Sequence, residues 1–140
     1  MRSNVVVGIV AGLIGGLVFG MMMSMMSAPT PDGGSMNMMA MVGMIVHSPT
    51  LAVGWLYHLF NSAVIGAIFG WLLGSRTTRY EAGLVWGALY GMIWWVLGGL
   101  ILMPVLLGLP AFAPLTMMPM IAMASLMGHV IFGLVLGAAF

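Results

Sequence analysis

The chain contains no cysteine. Disulfides, thiolate metal sites and covalent c-type haem attachment are thereby excluded. Charge is nearly as scarce. Lys, Arg, Asp and Glu together make up 4% of the 140 residues, and none of them is lysine. An ordinary soluble domain is about one quarter charged, so this chain cannot build a polar skin. Its net charge of +1 offers no basic surface to nucleic acid. The carboxylates are Asp32 and Glu81, expected near opposite membrane faces, which argues against paired acid–base catalysis. No Gly-x-x-x-x-Gly-Lys phosphate loop and no Ser–His–Asp arrangement is present. A non-enzymatic role is expected.

What is abundant is apolar: 63% of the residues are hydrophobic, with 21 glycines and 18 methionines. Lipid is the solvent such a chain expects. Four runs of spanning length follow one another. The first, Val5 to Met26, extends roughly 30 Å as a helix, one bilayer core. Arg2 ahead of it also suits a signal peptide. The run is longer than a usual signal core, and no A-x-A site follows, so a retained helix is expected. Pro49 to Gly74, Glu81 to Met103 and Pro119 to Phe140 are the other spans. Ser27 to Ser35 reads as a polar turn rich in Pro and Gly, and Leu107 to Thr116, with Pro110 and Pro114, as irregular. Met36 to Val46 is too short to span as a helix and is expected to be interfacial or re-entrant. Arg2, Arg76 and Arg79 fall on one side, so the positive-inside rule predicts cytoplasmic termini, in a bacterial-type inner membrane.

The chain also repeats itself. Ala11–Met21, AGLIGGLVFGM, returns as Ala82–Met92, AGLVWGALYGM. The offset that carries Ala11 onto Ala82 also carries His58 onto His129, Gly66 onto Gly137 and Phe69 onto Phe140, without a gap. Two short apolar stretches can match by chance, but a shared offset across separate blocks favours duplication. The expected fold is therefore an all-α integral membrane protein in one domain. It is a four-helix transmembrane bundle of two tandem hairpins, residues 5–74 and 76–140, with parallel repeats related by an axis along the membrane normal. Gly8, Gly12, Gly16 and Gly20, and Gly83, Gly87 and Gly91, lie at steps of four on single helix faces. Such ladders mark close helix contacts in lipid. A homo-oligomer or a place in a larger membrane complex fits the same composition.

Two features carry chemistry. His58 and His129 both fall near mid-bilayer, on polar stripes Gly54–His58–Asn61–Ser62–Ile65 and Ser125–His129–Phe132–Gly133–Leu136. Three readings compete. Each imidazole could bond a neighbour such as Asn61 or Ser125 and lock the bundle. Both could ligate one b-type haem, with Gly133 leaving room for the macrocycle. Or both could belong to an ion path.

The second feature is the methionine distribution. Met21, Met22, Met23, Met25 and Met26 close the first span, and Met36, Met38, Met39, Met41 and Met44 fill the short segment. Met103, Met117, Met118, Met120, Met123 and Met127 lie around the outer ends of the last two spans, and Met92 near the middle. Thioether sulfur is a soft ligand that selects Cu(I). His47 is expected at the same level. Methionine is equally an adaptable filler of promiscuous surfaces, which suits an accessory subunit docking a larger complex. The leading expectation is a protein that binds or passes Cu(I), or a similar soft metal, from an outer Met-rich rim to the histidine pair.

Overall fold

A computed structural model gives the fold and describes residues 2–140. Helix α1 (Arg2–Ser24) leads into a hairpin of two three-residue strands, β1 (Ser27–Pro29) and β2 (Ser35–Asn37). A short helix α2 (Met38–Gly43) and a 3-10 turn (Met44–Val46) follow. Helix α3 is Leu51–Leu73 and α4 is Tyr80–Trp94. The latter continues through a π-helix (Trp95–Leu102) into α5 (Met103–Leu106); α6 (Ala113–Met117) and α7 (Pro119–Ala139) complete the chain. Among the described residues four helices are long and apolar enough to cross a membrane: Ser3–Ser24, Leu51–Leu73, Tyr80–Leu106 and Pro119–Ala139. The protein is a helical integral membrane protein. An even number of spans puts both termini on one side.

The glycine ladders are where the helices meet. A Cβ on Gly8 or Gly12 would strike the backbone carbonyls of Gly66 and Ser62, and one on Gly16 the side chain of Ser62. On the other hairpin, Gly83 and Gly87 are pressed against the carbonyls of Gly137 and Gly133. Backbones can approach this closely only where no side chain intervenes. Helix α1 thus zips to α3 and α4 to α7, while α1 also packs along α7. By contrast the backbones of α3 and α4 stay apart and are bridged by side chains.

Sequence and structure differ in three places. The polar turn is a true hairpin, with antiparallel pairs from Ser27–Asn37 to Pro29–Ser35. Gly33 takes the left-handed conformation its tip requires (φ 84°). The Thr30 hydroxyl and then the Gly34 N–H donate to Asp32, holding its carboxyl below the usual range. Strands of three residues are too short to leave an alternating pattern.

The second difference is that the segment after the hairpin is tucked inward. Asn37 caps α2 by accepting from the Met39 N–H at 2.9 Å, and Met39 is wholly buried. Gly54 admits the Met39 carbonyl against α3.

The third is that the third span does not stop at Met103. Pro104 has no N–H to give the Leu100 carbonyl four residues back. The backbone N–H of Phe112 supplies the bond instead, at 2.6 Å. That bond folds the following turn back onto the helix and leaves Phe112 left-handed (φ 63°).

Candidate functional site: a methionine-lined cavity above two histidines

The gap between α3 and the π-helix is a cavity of about 440 Å³. It lies at the Met-rich end of the bundle. Its walls include Tyr57, His58, Asn61 and Ser62 from α3, and Trp94, Gly98, Gly99 and Met103 from the third span. Helix α1 and the residues just after it add Phe19, Met22, Met23 and Met26; α2 adds Met38 and Met41; the last span and the residue before it add Met118, Ser125, His129 and Phe132.

The glycines of α1 place His58. Without side chains at Gly16 and Gly20, the ring reaches the backbone of α1, and its Nε2–H donates to the Gly16 carbonyl at 2.9 Å. The Ser62 hydroxyl donates back to the His58 carbonyl at 2.8 Å. His129 is held within its own helix: its Nδ1–H donates to the Ser125 carbonyl at 2.7 Å. A carbonyl can only accept, so each bond fixes a tautomer. The other nitrogens, Nδ1 of His58 and Nε2 of His129, are left as lone-pair acceptors. Neither is sealed away, because Ser24 Oγ alone is both buried and unpartnered among the described side-chain N and O atoms. Gly99 and Gly98 keep the π-helix bare beside His129; a Cβ on Gly98 would sit 4.0 Å from its Nε2.

Phe19 stands edge-on to both imidazoles, with ring centroids 5.6 Å from His58 and 4.8 Å from His129. Towards the opposite end aromatic side chains pack between the helices. Phe69 and Leu136 are wholly buried. Phe69 packs edge-on to Tyr90 and Phe140, and the Tyr90 hydroxyl donates to the Ile65 carbonyl at 2.7 Å, tying the third span to α3.

The candidate residues divide. Met22, Met26, Met38, Met41 and Met118 line the cavity with His58 and His129, as do Met23 and Met103, which no spacing or neighbour singles out. Met39 is buried behind it and Met36 sits in β2. Met21, Met44, Met117 and Met123 face outward, as do Met25 (86% exposed) and Met120 (85%). They are not brought to the cavity. His47 is exposed and left-handed (φ 59°) at the end of the 3-10 turn, a capping position rather than a lining one. Gly133 takes no part in the cavity, its face being filled by the Gly87 carbonyl. Asn61 lines the cavity but does not hold His58; the carbonyl of Gly16 does. Trp94 lines it too, whereas the Trp95 indole N–H donates to the Ala122 carbonyl at 3.1 Å.

Among the described residues no three of His, Cys, Asp and Glu gather into a metal-binding group. Comparison of the chain with protein-family models, curated proteins and solved structures finds no match.

Proposed function

We propose that the protein is a non-enzymatic membrane receptor for Cu(I) or a similarly soft ion, which it binds in the cavity. The observation that carries this reading is the composition of one wall system: seven methionines and two imidazoles, each imidazole with a free nitrogen, and no carboxylate. Hard cations need oxygen ligands and find few here; a soft ion finds sulfur and neutral nitrogen. Binding fits better than passage, because the half beyond Ile65 and Phe132 is filled by Phe69, Tyr90 and Leu136. A haem shared by both imidazoles has weaker support. Its macrocycle would need the place of the Phe19 ring, and the space at Gly133 is already taken.

We read the two hairpins as tandem copies, and their contacts support this. Gly12 against Gly66 corresponds to Gly83 against Gly137; Gly16 against Ser62 to Gly87 against Gly133; Gly20 against His58 to Gly91 against His129. With cytoplasmic termini, the cavity opens on the outer side of the membrane.

The test replaces Met22, Met26, Met38, Met41 and Met118 with Leu, which nearly conserves volume. Cu(I) affinity, measured by competition with a chromogenic chelator, should fall at least about tenfold at unchanged melting temperature, roughly the loss of one or more ligand bonds. The matched outward set, Met21, Met25, Met117, Met120 and Met123 to Leu, should bind as the parent does. Equal affinity in both variants would overturn the reading.

A further inference from the structure

A single ion fills only a small part of this cavity, whose volume lies in the range of small-molecule sites. Its polar side chains are few: Tyr57, His58, Asn61, Ser62, Trp94, Ser125 and His129. The rest is thioether, aliphatic or aromatic. A wall that is mostly apolar with a few polar groups suits a largely apolar guest with one polar end. Thioethers also favour aromatic rings as neighbours. The free imidazole nitrogens are acceptors, so the complementary group on a guest is a hydrogen-bond donor. The side offers access: the backbones of α3 and the π-helix stay apart, and Val64 and Leu102 of the lining are exposed.

We propose that the cavity also binds a lipophilic phenol drawn from the bilayer. It enters between α3 and the third span, its hydroxyl donates to Nε2 of His129, and its apolar tail lies along the Met-lined walls. The ring packs against Trp94 and Phe19, and Gly98 leaves it room beside the imidazole. This does not rest on the Cu(I) reading, since the guest needs only the neutral imidazole. The two ligands compete for the same nitrogen.

The experiment uses the full chain, purified in detergent with a chelator so that it is metal-free and labelled at the histidine ring nitrogens. Three probes are titrated: para-butylphenol, para-butylanisole, which lacks the donor, and butylbenzene. Nitrogen NMR should show a saturable shift of His129 Nε2 with the phenol. The anisole should bind about tenfold more weakly, the worth of one hydrogen bond. Gly98→Leu should abolish binding at unchanged melting temperature, since Gly98 lines the cavity and a Cβ there meets nothing closer than 4.0 Å. His129→Leu provides the second check: the phenol and anisole, followed by ligand-observed saturation transfer, should then bind alike. No saturable shift with the phenol, equal binding of the phenol and anisole to the parent, or undiminished binding to Gly98→Leu would overturn the proposal. None of these outcomes bears on Cu(I), which is absent.

Discussion

At the scale of single residues, glycine has two opposite uses here. Gly87 faces the carbonyl of Gly133, which has no side chain to swing aside. Gly98 faces open cavity. Gly87→Ala should therefore lower thermal stability in detergent, with a cost on the order of 1–3 kcal/mol from forcing backbones apart. Gly98→Ala should be neutral or stabilising by up to about 1 kcal/mol, because alanine restricts the unfolded chain and suits a helix better. Equal losses from both would mean that the ladder is not a contact surface. The ladder itself was legible, since steps of four put glycines on one face whatever surrounds them. The partners of the histidines were not. Sequence offers side chains such as Asn61, whereas His58 bonds the carbonyl of Gly16. Every residue carries a carbonyl, so no residue type announces which one has a spare lone pair within reach.

At the scale of elements, spans and turns were readable because hydropathy and length decide them in lipid. What escaped is the stretch from Trp95 to Ala113. There a π-helix, a proline and a left-handed phenylalanine answer one another through a single carbonyl, that of Leu100. No periodicity encodes such a dependence, because it runs through a backbone carbonyl that every residue type carries. It does make a prediction. Phe112 bears a side chain in a conformation that costs non-glycine residues about 1–2 kcal/mol. Its ring is half-exposed, so little burial is lost on removing it. Phe112→Gly should keep the N–H bond to Leu100 and match or exceed the parent in melting temperature. A drop of several degrees would show that the ring anchors the turn.

At the scale of the whole molecule, the chain is two unlike halves across the membrane. One end is zipped and aromatic; the other is open and sulfur-rich. This asymmetry was visible in the sequence only as a clustering of methionine. Sequence could not separate cavity methionines from outward ones, because adjacent residues such as Met21 and Met22 differ only in which way the helix turns them. Orientation is checked directly. Reporters placed after Phe140 and within the hairpin tip at Gly33 should give opposite readings, cytoplasmic for the first and external for the second, as the arginine distribution implies. A cytoplasmic reading at Gly33 would turn the cavity toward the cell interior.

The glycine zippers also have a thermodynamic side. Closing a contact made of glycine and backbone freezes no rotamers, whereas ordering methionines around a ligand costs up to about 2 kcal/mol each. The glycine–backbone contacts therefore close at little side-chain entropy cost, while a ligand that orders the cavity methionines pays that cost on binding. Amide exchange should follow this division. Protection should be greatest where Gly12 meets Gly66 and Gly83 meets Gly137, and lowest around α2 and Met118. The protein would then unfold from its receptive end inward, and a bound ligand would slow only that first opening.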